Sequence, residues 1–240
     1  MRRLLFLAGL AVIAGLALAA CGGGGGGGDG SAQTAPTVNA ADFQARIDNP
    51  LFPLSSLEPK VFRGKERHPD TGEVIETRLE SAVLPQTDVV AGVEVTVLQE
   101  KDYENGELVE STLDYFAQHK DGSVYYFGER VDEYEEGKVV GHAGQWLVGE
   151  GENQPGVFMP AQPVVGTTFE QEVAPGVAED ESRVVATHQT VTTRAGTFTG
   201  CIKTEDFSPL DDVTEFKYYC PSVGLVREEP PGGLLDLVSY

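Results

Sequence analysis

Polar and apolar residues alternate with a period of two along most of the chain from residue 61 onward. Residues 61–67 place Arg63 and Lys65 at every second position, and residues 93–98 show the same rhythm with valine. A two-residue period is typical of a β-strand with one buried face. Further segments rich in aromatic and β-branched residues are 113–116, 124–127, 184–187 and 216–219. The pattern therefore predicts strands throughout this region.

Turn signals separate these segments at short intervals. The strongest is Asn105-Gly106, because both residues tolerate the positive φ angles of the tight turn between antiparallel strands. Further corners are marked by Thr71-Gly72, Ala91-Gly92, Asp121-Gly122, Glu136-Gly137 and Ala195-Gly196. Frequent turns without helical periodicity predict an all-β fold. We expect a single antiparallel β-barrel or half-barrel, with a curved sheet of lipocalin-like or lipoprotein-carrier-like form.

One short helix is predicted before the strands, over residues 39–47. Asn39 has a side chain preferred at helix N-caps, Asp42 follows three residues later, and Asn49-Pro50 ends the segment. The β domain is expected to span residues 39–240. Its length of about 200 residues is enough for one sizeable core.

The N-terminus has the pattern of an export signal. Arg2 and Arg3 precede an apolar run that ends in Leu18-Ala19-Ala20-Cys21, the lipobox pattern of bacterial lipoproteins. The run is shorter than the about 20 residues that a spanning helix needs, which favours cleavage over an uncleaved anchor.

The predicted organisation begins with a signal peptide over residues 1–20. A flexible glycine-rich tether follows over residues 21–38, with Cys21 as the lipid-modified first residue of the mature chain. The chain would then be anchored by its lipid in the cell envelope, outside the cytoplasm. Whether the inner or the outer membrane receives the anchor stays open.

With Cys21 assigned to lipid, Cys201 and Cys220 remain as a pair. An oxidising compartment favours a disulfide between them, and both lie in strand-like segments that can be neighbours in a sheet. Neither belongs to a Cys-x-x-Cys sequence, which argues against redox catalysis.

The charge of the chain limits its partners. It has 38 acidic and 17 basic residues and a formal net charge of −21. Nucleic acid is excluded as a partner, because a phosphate backbone is recognised by basic patches. The charge is interpreted as favouring solubility, with attraction of cations or basic partners as the alternative.

A long stretch between Gly144 and Gly166 interrupts the strand pattern and contains Trp146, Phe158 and Met159. Long loops in compact domains are often functional, so these residues either plug the core or border a ligand cavity. A large antiparallel sheet rich in tyrosine and phenylalanine can enclose a small molecule. We therefore predict a non-enzymatic protein that binds an apolar or amphipathic ligand in its concave face. The candidate lining residues are Tyr115, Tyr125, Phe127, Trp146, Met159 and Phe169.

Two other functions stay open. The first is a structural or adhesive surface module that recruits an envelope protein through strand edges or the long loop. The second is a carboxylate-based hydrolase, since a glycosidase needs only two suitably spaced acids. Against the hydrolase, the carboxylates mostly alternate with apolar residues, which is typical of solvated strand faces.

No catalytic, cofactor or metal site is predicted. The histidines have no close ligand spacing, and no serine elbow motif is present. Residues 102–107 carry acids at alternate positions but lack the spacing of a calcium loop, so they are interpreted as a hairpin. The histidines concerned are His68, His119, His142 and His188.

Several segments resemble a family of uncharacterised exported bacterial proteins, many of them lipoproteins. The opening is Asn49-Pro50-Leu51-Phe52-Pro53-Leu54, a later turn is Ala195-Gly196-Thr197-Phe198, and the ending is Tyr218-Tyr219-Cys220-Pro221-Ser222-Val223-Gly224-Leu225-Val226. Residues 113–122, 124–129 and 155–160 complete the likeness, which covers nearly the whole predicted domain. The resemblance implies no particular activity. Cys220 replaces the small residue usual in the family, which implies that the disulfide is particular to this chain.

Overall fold

Strands are the main secondary structure of the described chain. The computed structural model describes residues 38–68 and 71–240. Its strands are β1 (Phe43–Gln44), β2 (Lys60–Arg67), β3 (Val74–Val83), β4 (Asp88–Val90), β5 (Val93–Glu104), β6 (Glu107–His119), β7 (Val124–Glu135), β8 (Lys138–Gly141), β9 (Trp146–Leu147), β10 (Gly156–Met159), β11 (Thr168–Glu170), β12 (Glu181–Thr193), β13 (Gly196–Ser208), β14 (Val213–Cys220), β15 (Gly224–Glu229) and β16 (Leu234–Ser239). Across the described ranges the helical elements are two short 3₁₀ turns, Ala40–Asp42 and Leu54–Ser56, and no helix has the length and hydropathy to cross a membrane.

The strands form one antiparallel sheet, in the order β10-β7-β6-β5-β3-β2-β16-β15-β14-β13-β12-β11. Short strands are added beside this path: β1 on β6, β4 on β5, and both β8 and β9 on β7. The predicted all-β antiparallel fold with a curved sheet is therefore confirmed.

A closed barrel, the other predicted form, is wrong. Within residues 38–68 and 71–240, the two ends of the path, β10 and β11, share no strand ladder and come together beside an isolated bridge between Gln154 and Val173. A Cβ at Gly156 would collide with the Gln171 carbonyl, so glycine permits this close approach. Pro155 and Pro160 flank β10 and have no N–H to extend a ladder in either direction. The sheet consequently stays open.

The predicted turns connect the strands where expected. Asn105 and Gly106, with φ of 50° and 90°, join β5 to β6 and set Glu104 opposite Glu107. Two consecutive positive φ angles also occur at Ala91-Gly92, between β4 and β5, and at Glu136-Gly137, between β7 and β8.

The predicted helix over residues 39–47 is wrong. Asn39 does accept a hydrogen bond from the Ala41 amide, but the helical turn ends after Asp42. Phe43 is extended and pairs with His119 at the edge of β6. A segment this short gains more from sheet pairing and from burial of Ile47 than from one isolated helical turn.

The buried apolar residues form two hydrophobic clusters. The larger one contains Phe116, Tyr126, Trp146 and Phe158, and the smaller one is built around Phe62 and the leucines of β16. Trp146, Phe158 and Met159 of the long central stretch are therefore buried core residues.

The predicted disulfide between Cys201 and Cys220 is present. It joins β13 to β14 with Cα atoms 4.0 Å apart, and both cysteines belong to the smaller cluster. The predicted signal peptide, the lipid-modified Cys21 and the tether up to residue 37 lie outside the described residues.

Candidate functional site: a charged interior

A β-bulge in the β5–β6 hairpin gathers acids from both strands on one face. The turn alone would set Asp102 opposite Val109, but the register shifts between Asp102 and Tyr103, and Asp102 pairs with Glu110 instead. From Leu98 to Asp102 on β5 and from Glu110 to Phe116 on β6, the even-numbered residues then share the inner face. The acids brought together in this way are Glu100, Asp102, Glu110 and Asp114, all of them buried.

Other elements add charged groups to the same interior. Glu129 of β7 lies opposite Asp114, and Glu172 and Asp180 approach from the segment between β11 and β12. The remaining acids are Glu66, Asp206, Glu215 and Glu228. Two lysines, Lys60 and Lys217, are the cations enclosed with them.

Burial keeps many of these acids protonated. Together with the charges of neighbouring carboxylates, burial raises the pKa of Glu110 and of Asp114 to about 8. Burial also raises the pKa of Glu66 and of Asp180 to about 7. Several interior carboxyl groups are therefore uncharged at neutral pH. Hydrogen bonds donated by Tyr126 Oη at 2.8 Å and Thr112 Oγ1 at 3.0 Å hold the Asp114 side chain in place and offset part of the rise in its pKa.

Glu129 and Glu172 are the acids most completely cut off from hydrogen-bond partners. They are 1% and 2% exposed, and neither carboxyl oxygen of either residue has a partner with good geometry. The indole N–H of Trp146 beside them is likewise without one. Burial raises the pKa of Glu129 and Glu172 well above the ordinary value; Glu172 adds to the effect on Glu129, and Asp180 to that on Glu172. Unsatisfied polar groups this deep cost free energy.

The two lysines have different environments. Lys217 lies 2.7 Å from Glu215 and 3.4 Å from Asp206. Burial disfavours its charged form, but these acids outweigh burial and hold its pKa well above the usual value. Lys60 instead donates to the carbonyls of Val223 and Leu225, and burial lowers its pKa to about 8.

A cavity of about 40 Å³ lies where the aromatic core meets this charged group. Its apolar wall includes Phe52, Phe116 and Phe158, whose rings contact one another with centroids 4.6–5.1 Å apart. The polar wall consists of Lys60, Glu100, Lys217 and Glu228, with Ser81 and Tyr219. This cavity volume can hold about three water molecules.

The six predicted ligand-lining residues lie elsewhere. Tyr125 and Phe127 come together around Phe43, with ring centroids 5.4 and 5.2 Å from it. The Trp146 ring packs edge-on against Tyr126 at 5.4 Å. Tyr115, Met159 and Phe169 are buried in their own strands. None of the six borders the 40 Å³ cavity.

The interior acids are the functional residues that sequence reasoning missed. Their alternation with apolar neighbours predicted solvated strand faces, but the acids point inward while Leu108, Leu113 and Tyr103 are only partly buried. On β6 this expectation is wrong because the bulge turns Glu110 and Asp114 to the same face as Asp102. The available signal was the acid repeat at residues 100, 102 and 104 followed by another at 110 and 114.

The arrangement can receive a polar group. In the part of the chain that the structure describes, no three His, Cys, Asp or Glu residues are placed to hold a metal ion. The lysines can donate hydrogen bonds to an oxygen-bearing head group, and the phenylalanines can contact an apolar portion of the same molecule.

Comparisons with known proteins add little. No family model matches the chain, and no curated protein matches it. Among solved structures, the chain is similar to a crystal structure of a "putative lipoprotein" from Parabacteroides distasonis. The two are 13% identical with a TM-score of 0.36, over 76% of this chain and 95% of the other. A likeness at this level carries no argument about fold or activity.

Proposed function

We propose that the chain is a lipid-anchored protein of the bacterial cell envelope that binds a small amphipathic ligand without transforming it. The observation that carries the binding proposal is the 40 Å³ cavity between the phenylalanine wall and the buried lysines. The lipid anchor rests on the Leu18-Ala19-Ala20-Cys21 sequence.

The chemistry of the cavity supports an amphipathic ligand over a purely apolar one. Phe52, Phe116 and Phe158 supply an apolar wall. Lys60 is bonded to two carbonyls and is not within ion-pair distance of any acid among the described residues, so an acidic head group would be its first direct anionic partner. Burying such charges costs free energy that a purely structural interior would avoid, and perturbed pKa values are concentrated at functional sites.

Entry of a ligand larger than a few waters requires the segment over residues 49–57 to move. This segment crosses the cavity and inserts Phe52 into it. Asn49 Nδ2 holds it by donating to the Gly122 carbonyl at 3.0 Å, and the Pro50 carbonyl accepts from the Ser222 amide at 2.8 Å. We infer that a ligand replaces Phe52 against Phe116 and Phe158.

The same enclosure argues against a hydrolase. A glycosidase places its two carboxyl groups on either side of a sugar ring in an accessible cleft. Here Glu129 and Glu172, whose pKa values burial raises well above the ordinary one, are almost completely enclosed. They have no opening that a glycan could enter.

The binding proposal is tested by native mass spectrometry of the full chain, before and after incubation with envelope lipid extract. We expect a bound amphipathic molecule that Lys60→Met releases and that the control Lys120→Met, on an exposed lysine paired with Asp42, retains. A chain that carries nothing in either condition, or whose Lys60→Met variant binds as well as the unmodified chain, contradicts the proposal.

The anchor is tested separately. Intact-mass analysis of membrane-extracted protein should find a chain that begins at Cys21 with added acyl mass, and Cys21→Ser should lack that mass. A chain that retains Met1 contradicts the anchor but leaves the cavity proposal standing.

A second candidate, recruitment of a protein partner, is favoured by one observation. Val164 and Val165, at the end of the long central stretch, are 63% and 59% exposed. Two adjacent exposed valines are a plausible contact point for a partner protein, although single exposed apolar residues are common. Cross-linking in intact cells, with Val164→Ser and Val165→Ser together as the comparison, tests this candidate.

A further inference from the structure

The outer face of β2 carries a basic stripe that the interior does not use. Arg63, Lys65 and Arg67 occupy alternate positions and are exposed. Arg63 and Lys65 line a surface groove of about 570 Å³ together with Arg78 of β3 and Arg194 at the tip of the β12–β13 turn. On a chain with a net charge of −21, a groove with four basic side chains stands apart from the rest of the surface.

Ion pairing neutralises only part of this groove. Lys65 pairs with Glu76 at 3.1 Å, and Arg78 pairs with Glu80 at 2.6 Å. In the described ranges of the chain, the side chains of Arg63 and Arg194 have neither a hydrogen bond nor an ion pair.

The nearest acid to Arg63 along the ladder is already engaged. Asp236 of β16 is the cross-strand partner of Arg63. Its two carboxylate oxygens accept from Arg227, at 2.6 and 2.9 Å. The Arg63 guanidinium is therefore left to solvent or to a ligand.

The register also places two like charges side by side. Arg63 and Arg78 are direct cross-strand partners, and like charges directly opposite one another are destabilising. The Arg78 side chain stays beside Arg63, because its guanidinium packs 3.7 Å from the centre of the Tyr103 ring. Sites that break a local rule in this way are often functional.

We propose that this groove binds a small organic anion with at least two negative charges, carried by phosphate or carboxylate groups, between Arg63, Arg78 and Arg194. The planar guanidinium fork matches the paired oxygens of either group. The groove lies on the outer face of the sheet, so this site is independent of the interior cavity.

Isothermal titration calorimetry of the full chain at low ionic strength tests the proposal, with inorganic pyrophosphate and citrate as separate probes. We expect one anion per chain, and an affinity that falls about tenfold in Arg63→Gln and again in Arg194→Gln, because each removes a charge-assisted hydrogen bond. The matched control is Arg183→Gln, whose exposed guanidinium is already paired with Glu205 and should leave affinity unchanged. Added salt should weaken binding, since the groove is exposed.

The two probes distinguish the source of the charge. Tighter binding of pyrophosphate identifies a phosphate ligand and tighter binding of citrate a carboxylate ligand, and either result supports the site. Three results overturn it: no binding of either anion, unchanged affinity in Arg63→Gln and Arg194→Gln, or an equal loss in Arg183→Gln. All three substitutions are at exposed positions, and circular dichroism checks that each variant is folded.

Discussion

Two residues of β6, Phe116 and Asp114, show how differently the two halves of the interior are built. Both are fully buried, and they lie two positions apart on the same face. Phe116 contacts the rings of Phe52, Tyr126 and Phe158. Asp114 lies among acids, and burial raises its pKa to about 8. Burial alone therefore does not measure stabilisation. Burial of the aromatic rings stabilises the fold, whereas burial of the acids costs free energy.

The comparison predicts the largest loss in the aromatic half. Phe116→Ala should lower the free energy of unfolding by about 3–5 kcal/mol, because it leaves a cavity among three rings. Urea denaturation measures this loss. Phe216→Ala, at a half-buried ring on the other face of β14, should cost much less. Equal losses in the two variants would contradict the assignment of the main core.

A smaller loss is expected when the acidic half loses its central cation. Lys217→Met removes the partner of Glu215 and Asp206 and should cost about 3 kcal/mol near neutral pH, the low end for a broken buried pair because the remaining acids can take up protons. Adding Glu215→Gln and Asp206→Asn should restore most of this stability, because it removes the unpaired charges. A triple variant less stable than Lys217→Met would show that the lysine acts through packing rather than charge.

The third effect should have the opposite sign and grow with pH. Asp114→Asn imitates the protonated acid and keeps acceptors or donors for Tyr126 and Thr112. We expect it to become more stabilising as pH rises from 5 to 8, because the raised pKa of Asp114 costs the unmodified chain up to about 1.4 kcal/mol of stability for each pH unit between its unfolded and folded pKa. The exposed control Asp88→Asn should change little at either pH. Destabilisation by Asp114→Asn at pH 8 would mean that the ionised carboxylate is required.

The sequence predicted the strands and turns of this fold well, because both depend on neighbouring residues. Asn105-Gly106 needs only its own backbone preference to define a hairpin. The disulfide could also be predicted from the sequence, since assigning Cys21 to lipid left one pair of cysteines.

The sequence could not predict which face of the sheet the acids occupy. Their facing depends on a bulge between Asp102 and Tyr103, and no residue type at that position indicates a bulge. The one-residue shift reverses the facing of the β6 residues beyond it, which include Glu110 and Asp114, and converts a predicted solvent face into an interior. The helix over residues 39–47 was wrong for a similar reason, since pairing of Phe43 with β6 is a long-range contact.

The central claim is that the acids lie inside the sheet, and the pH dependence of stability tests it most directly. An acid whose folded pKa is raised binds its proton more tightly in the folded state, so its stabilising contribution is complete below the unfolded pKa and is lost as pH rises through the folded one. For Glu66, Glu110, Asp114 and Asp180 that window runs from about 4 up to about 7–8. We expect the free energy of unfolding of the full chain, measured in urea, to fall steadily from pH 5 to pH 8. A free energy that is constant or rises over the same range would contradict an interior of buried, protonated acids.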